Sequence, residues 1–182
     1  IKVVPTGLAH GTVTAVIAAT PYEITTLRQD TQTNGRHAVV CWTQDWQEDA
    51  ARRDFTINAM SRDKDGTLYD YFGGQADLAA GRVRFVGQAA QRIEEDALRI
   101  LRFFRFMGRY GHGQPDPEAL AAIAQKTDLL KILSVERVWS ELQRLLVGPQ
   151  AAQQVALMAQ LGVLAAIVPL SLIHLSKPTT PY

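Results

Sequence analysis

From Ile93 to Met107 the apolar residues Ile93, Ala97, Ile100, Leu101, Phe104 and Met107 return at helical spacing. This run constrains the fold more than any other feature. It predicts a helix over 89–110 with one apolar side that other elements must cover. "GRYGHGQPDP" ends it. Shorter helices are predicted at 117–126, at 134–147 (Ser134 as N-cap, Gly148–Pro149 as stop) and at 150–161.

The pattern upstream is different. "TVTAVIAATPYEITTLR" (12–28) is rich in β-branched residues and reads as two strands, a hairpin or a bend punctuated by Pro21. Residues 29–47 read as polar and irregular, with "TNGRH" as a turn, and the pattern turns helical from Asp49 to about Met60. "DKDGT" (63–67) is a turn, and 68–87 combines a short strand, a Gly-Gly loop and a second strand, "VRFVG". "SLIHLSKPTTPY" at the end has no clear period. Strands with a few helices to about residue 87, then helices alone, predict an α/β (α+β) domain running into an all-helical one.

Composition enters as a set of exclusions. With 182 residues, 47% of them hydrophobic, the chain can bury one good core or two small ones. Its single cysteine, Cys41, rules out an internal disulfide, and His10, His37, His112 and His174 lack metal-ligand spacing. No apolar run reaches the ~20 residues of a membrane span, and no signal-peptide pattern opens the chain. A soluble cytoplasmic protein is expected. The net charge of +1 sets no partner by itself, so local clusters must carry that question.

The first cluster is "ARRDFTINAM" (51–60), with Arg52, Arg53, Asp54 and Asn58 among apolar residues. Asp54 and Asn58 are i, i+4 and would share a helix face. Asp54 reads either as a helix cap beside solvated arginines or as part of a nucleotide clamp. In the clamp, guanidinium forks hold phosphate oxygens and a carboxylate accepts from a ribose hydroxyl.

The second is "RIEEDALRILRFFRF" (92–106). Asp96 and Arg99 at i, i+3 can lie side by side on a helix, and Glu95–Arg99 at i, i+4 would serve an ordinary salt bridge. Cytosine and adenine each set an amino donor beside a ring-nitrogen acceptor, which a carboxylate and a guanidinium can match. Uracil and guanine present the opposite order. They would leave both protein groups unpaired, at about 1–3 kcal/mol for each buried one. An Asp/Arg pair on one rigid helix is thus a possible protein template for C and A.

Two weaker signals remain. Asp70, Gly74 and Arg84 in "DYFGGQADLAAGRVR" read as a tight turn or as a mobile loop at the glycine pair. Glu23, between Tyr22 and Ile24, faces solvent by strand alternation or joins a carboxylate cluster on a metal.

In this order, from about Ile1 to about Val147, the motifs resemble the class II tRNA nucleotidyltransferases (CCA-adding enzymes) and the related bacterial poly(A) polymerases. "PTGLAHGTVTAVI" with "YEITTLR" looks like the segment after that family's first catalytic strand. "RRDFTINAM" matches its nucleotide-sugar motif, "EDALR" (95–99) its base-reading motif, and Asp70-x3-Gly74-x9-Arg84 its flexible head–neck loop. "LSVERVWSELQRLL" (133–146) resembles the neck helix.

The resemblance implies that Asp54 holds the ribose while Arg53 and Asn58 help position sugar and triphosphate. It implies that Asp96 and Arg99 read the base, and that Glu23 is the third carboxylate of a Mg²⁺ site. It further implies CTP and ATP as substrates and the tRNA 3′ end as acceptor. The organisation expected is a partial head at 1–87, a helical neck at 88–147, and the start of a body or a tail at 148–182. The family's Asp-x-Asp metal pair has no counterpart on a strand here, since "DKD" (63–65) stands in a turn. The chain as it stands is therefore expected to be a fragment without nucleotide-adding activity, with a sheet edge and apolar surface left uncovered. A poly(A) polymerase is the second reading, and a non-catalytic nucleotide- or RNA-binding module the third.

Overall fold

The computed structural model describes residues 1–8, 11–33 and 38–168. The expected turn "TNGRH" and the tail from 171 lie outside these residues, apart from Thr33. The chain divides into two compact units, Ile1–Arg53 and the residues from Asp54 onward.

The first unit is built on β1 (Lys2–Gly7), β2 (Thr12–Ile17) and β3 (Thr20–Thr25), an antiparallel sheet in that order. Ile17 pairs with Thr20, so the β2–β3 loop has only two residues, Ala18 and Ala19, both at positive φ (47° and 66°). Two-residue hairpins need that left-handed pair to follow the strand twist, and usually place Asn-Gly there. Pro21 does not mark the bend. It sits inside the edge strand β3 opposite Val16, where a missing N–H is tolerated.

A second hairpin, β4 (Arg28–Thr33) with β5 (Ala38–Trp42), occupies most of the stretch expected to be irregular. Gly11 joins the two hairpins. Its φ is +70°, its carbonyl accepts from Thr26 N, and a Cβ there would fall 2.2 Å from Thr26 Oγ1 and 2.6 Å from the Trp42 ring. Helix α1 (Trp46–Ala51) closes the unit, capped by Asp45 accepting from Gln47 N at 2.7 Å. The helix expected over 49–60 is thus shorter and earlier. It ends before Asp54, and a separate 3-10 turn, Thr56–Asn58, follows.

The second unit holds the core. Phe55 is extended (φ −122°, ψ 151°) and bridges Phe85, so the expected strand "VRFVG" is one bridge flanked by the bonds Thr56 N to Arg84 O and Val86 N to Asp54 O. A short hairpin, β6 (Ser61–Arg62) with β7 (Leu68–Tyr69), spans the predicted 63–67 turn. After α2 (Gly74–Ala79) come α3 (Ala89–Glu95), α4 (Leu98–Tyr110), α5 (Pro117–Lys126), α6 (Val135–Leu146), α7 (Ala151–Gln160) and α8 (Val163–Ile167).

Phe55, Phe85 and Phe103 pack with ring centroids 5.0–6.3 Å apart. Ile93, Ile100, Leu101, Phe104 and Met107 join Ile123, Leu145, Met158 and Val163 in one buried cluster. Each large side chain so buried contributes about 1.5–3 kcal/mol before entropy is charged.

One difference bears on function. The single helix expected over 89–110 is two helices, because Asp96 leaves the helical region (φ −155°, ψ 105°). Apolar spacing continues across the break, so the pattern conceals it. Among the described residues no helix is long and apolar enough to cross a membrane.

Candidate nucleotide site

Asp54 is 6% exposed. Its Oδ1 accepts from Asn58 Nδ2 at 2.7 Å and from Phe55 N at 3.2 Å, and its Oδ2 accepts from Arg102 Nε on α4. The i, i+4 contact with Asn58 therefore forms, but around an extended residue and a 3-10 turn rather than along a helix. Nor does Asp54 cap a helix. Phe55 holds the cap position of the 3-10 turn, and Asn58 Oδ1 accepts its amide. Burial alone would raise the Asp54 carboxyl, but the Arg102 guanidinium and the Asn58 amide hold it below the ordinary carboxylate range. Arg102 is held protonated in return, its burial being outweighed by Asp54 and Glu141. The result is a fixed, ionised acceptor on an apolar frame, suited to a hydroxyl donor.

The arginines before it face elsewhere in part. Arg52 Nε and Nη2 and Arg53 Nη2 donate to the buried Asp49 of α1 at 2.7–3.0 Å, and Asp49 also accepts from Arg28 N. Burial would raise the Asp49 carboxyl, and these donors lower it. Arg53 thus belongs with the first compact unit and Asp54 with the second.

Asp96 stands at the junction of α3 and α4. Its Oδ1 accepts from Leu98 N at 3.1 Å, and its Oδ2 from Arg137 Nη2 of α6 at 2.8 Å. Arg99 Nη1 donates to Glu95 Oε2 at 2.6 Å and to Arg92 O at 2.7 Å. The expected pair on one rigid helix is corrected accordingly. Carboxylate and guanidinium flank a break, and each has a partner of its own. Glu95 also takes Arg92, and the two arginines lower its carboxyl against the upward push of burial.

Asp70, Gly74 and Arg84 come together in a braced turn. Asp70 accepts from Gly74 N and Gln75 N at 2.8 and 2.9 Å. Gly73 takes φ +78°, as its place before α2 requires. Gly74 is pressed against Thr56, where a Cβ would lie 2.2 Å from the carbonyl oxygen. Arg84 donates to Phe72 O and to Asp77, a fully buried carboxylate that also holds Thr56 Oγ1 at 2.6 Å and Arg82 Nε at 2.7 Å. Thr56 therefore links this turn to the Asp54 segment.

Glu23 is exposed on edge strand β3, opposite Thr14. In "DKD", Asp63 Oδ1 accepts from Asp65 N and Thr67 N, and Oδ2 from Tyr69 OH, which commits it to the turn. Among the described residues no three His, Cys, Asp or Glu side chains gather as a metal would require.

Arg102, Glu141, Arg137 and Asp77 were absent from the sequence reading. Glu141 on α6 is 4% exposed and accepts from Arg105 Nε at 2.6 Å, with Arg102 Nη1 at 3.7 Å. Arg102 and Arg105 are three residues apart after "EDALR", and Arg137 and Glu141 are i, i+4 in "ERVWSE". Those regular spacings were the available signal.

Residues 1–84 match the family described as Poly A polymerase head domain. Residues 114–171 match the one described as Probable RNA and SrmB- binding site of polymerase A. Over 158 residues the chain is 53% identical to CCA tRNA nucleotidyltransferase 1, mitochondrial, of Danio rerio, which takes in 86% of this chain and 37% of that protein. The Bacillus stearothermophilus CCA-adding enzyme, solved in complex with CTP, superposes with a TM-score of 0.84 at 37% identity, over 94% of this chain and 41% of that one. The Thermotoga maritima CCA-adding enzyme complexed with tRNA_CCA gives 0.70 at 25% identity, over 87% and 36%. The chain spans well under half the length of these relatives.

Proposed function

The chain belongs to the class II tRNA nucleotidyltransferase and poly(A) polymerase family, and from that premise we propose that it carries the nucleotide-selecting part of a CCA-adding enzyme. Its substrates are CTP and ATP, its acceptor is the tRNA 3′ end, and the reaction is nucleotidyl transfer: a terminal 3′-hydroxyl loses its proton and attacks the α-phosphate, the α–β phosphoanhydride bond breaks, and pyrophosphate leaves. The observation that supports this most is the likeness over nearly the whole chain to a CCA-adding enzyme that holds CTP. The organisation proposed is a head at 1–87, a neck at 88–147 and the onset of a body from 148, in a cytoplasmic setting.

Asp54 accepts from the ribose, and Asn58 fixes its carboxylate. Arg53 serves the triphosphate by exchanging Asp49 for phosphate oxygens. Asp96 and Arg99 read the base edge, taking the amino hydrogen and donating to the ring nitrogen. Asp70, Gly74 and Arg84 set the loop between these segments. Mg²⁺ belongs to the proposal at family level, with Glu23 as one carboxylate. The described residues offer no group of three such side chains around it that would fit the ion.

A poly(A)-adding relative is the second reading, favoured by the head-domain match. Equilibrium binding of CTP, ATP, UTP and GTP to this chain, with and without Mg²⁺, tests the proposal. Preference for CTP and ATP over UTP and GTP is expected. ATP alone would move the reading to poly(A) addition, and equal affinity for all four would remove base selection from Asp96 and Arg99.

A further inference from the structure

Helix α6 carries Arg137 and Glu141 one turn apart, and each is bonded to a different part of the candidate site. Arg137 Nη2 holds Asp96 Oδ2 at 2.8 Å. Glu141 holds Arg105 at 2.6 Å and stands 3.7 Å from Arg102, whose Nε in turn holds Asp54. Asp96 and Asp54 are 42 positions apart and do not share a secondary-structure element. Both are bonded to α4, Asp96 through Leu98 N and Asp54 through Arg102, and α6 stands behind both contacts.

The two links differ in kind. Asp96 is a direct partner, with its other oxygen already committed to Leu98 N. The direction of its carboxylate is therefore set by one guanidinium and one amide. Asp54 is an indirect partner. Arg102 has Asp54 on its Nε and Glu141 beside its Nη1, and it lies over the Phe106 ring at 5.7 Å. Glu141, nearly sealed from solvent, sets a negative charge beside that guanidinium at 3.7 Å. A guanidinium imposes direction as well as charge, so a shift of Arg137 acts first on Asp96 and a shift of Glu141 first on Arg102, while the Asp96 charge also attracts Arg102.

We propose that Arg137 and Glu141 are positioning residues that set two separate selectivities: Arg137 sets the base through Asp96, and Glu141 sets the sugar through Arg102 and Asp54. This rests on the nucleotide-site reading given above. Neither α6 residue touches the nucleotide. Each aims a group that does.

The test measures binding of CTP, UTP and dCTP to this chain and to Arg137→Gln, Arg137→Lys, Glu141→Gln and Glu141→Asp. Asp96→Asn and Asp54→Asn serve as direct comparators, and thermal melts establish that each variant is folded. Arg137→Gln is expected to lower the CTP/UTP ratio by about tenfold, the effect of one misplaced polar contact, and to leave CTP/dCTP unchanged. Arg137→Lys keeps the charge without the fork and should fall between. Glu141→Gln is expected to narrow CTP/dCTP and leave CTP/UTP unchanged, with Glu141→Asp closer to the parent. Both ratios falling together in each variant would mean that α6 acts only through stability, and the proposal fails. Selectivity lost in Asp96→Asn but intact in Arg137→Gln also overturns it, while leaving the nucleotide site standing. If Asp96→Asn and Asp54→Asn themselves move neither ratio, the nucleotide-site reading is the one that falls, and the α6 assignment goes with it.

Discussion

Arg102 donates to Asp54 across 48 positions of sequence, joining the extended segment that opens the second compact unit to the first turns of α4. The carboxylate is almost fully buried and the guanidinium about a third exposed. The bond therefore orients Asp54 at the same time as it compensates a buried charge.

Arg102→Met removes that compensation. Asp54 would stay buried with only Asn58 and an amide, and the expected loss is about 2–4 kcal/mol in urea unfolding. Asp54→Asn combined with Arg102→Met should recover part of it. A double variant no more stable than Arg102→Met would show that the pair is incidental to the fold.

Stability should depend on pH in the acid range. Asp54, Asp77 and Glu95 all have carboxyls held below their ordinary values in the folded chain, against the upward push of burial. The unfolded chain takes up these protons first, near pH 4. Their stabilisation is thus complete above that pH and is lost as pH falls through the lower folded values. Denaturation midpoints from pH 6 to 2 should fall steeply below about pH 4, and Asp77→Asn should flatten the slope while lowering the plateau.

Gly74→Ala places a methyl group 2.2 Å from the Thr56 carbonyl oxygen, which is backbone and cannot swing aside. The braced turn must shift, at about 1–3 kcal/mol. A thermal melt reads the loss. Gly87→Ala makes a useful contrast, since its Cβ would meet nothing within 4 Å although its φ is +71°. It isolates backbone strain from collision.

The Ala18–Ala19 turn should be improvable. Ala18→Asn with Ala19→Gly puts residues suited to positive φ where the hairpin requires them. A gain of about 0.5–1 kcal/mol is expected for the first unit, seen as slower amide exchange in β2 and β3. No gain would mean that strand pairing, not the turn, limits this hairpin.

Asp54→Ala should narrow the preference for CTP over dCTP, and Arg99→Ala should blunt discrimination against UTP and GTP. Binding isotherms separate the two. An equal loss for ribo- and deoxyribonucleotides would return Asp54 to a structural role.

What the sequence disclosed was local. The β2–β3 hairpin follows from β-branched residues and the 63–67 turn from Asp and Gly, and the helix predicted at 117–126 is α5. The β4–β5 hairpin escaped because β4 (RQDTQT) is polar and β5 (AVVCW) is apolar throughout, so neither strand alternates. The break at Asp96 escaped because Ile93, Ile100 and Leu101 keep a helical spacing on either side of it. Within the site, Asp54, Asn58, Asp96 and Arg99 stood out by motif. Their partners Arg102, Arg137 and Glu141 lie up to 48 positions away, and short-range spacing does not encode a contact at that range.

The break at Asp96 also sorts charge by backbone polarity. A continuous helix over 89–110 would have no terminus in its middle, and its peptide dipoles would pass through residue 96 uninterrupted. Two helices put a negative end and a positive end within a few residues of each other. The Asp96 carboxylate sits on the amide of Leu98, at the positive start of α4, while the Arg99 guanidinium reaches back to the Arg92 carbonyl, near the negative end of α3. An acidic and a basic group in adjacent turns are thereby each given the backbone pole of opposite sign, and a straight rod of the same sequence would offer neither.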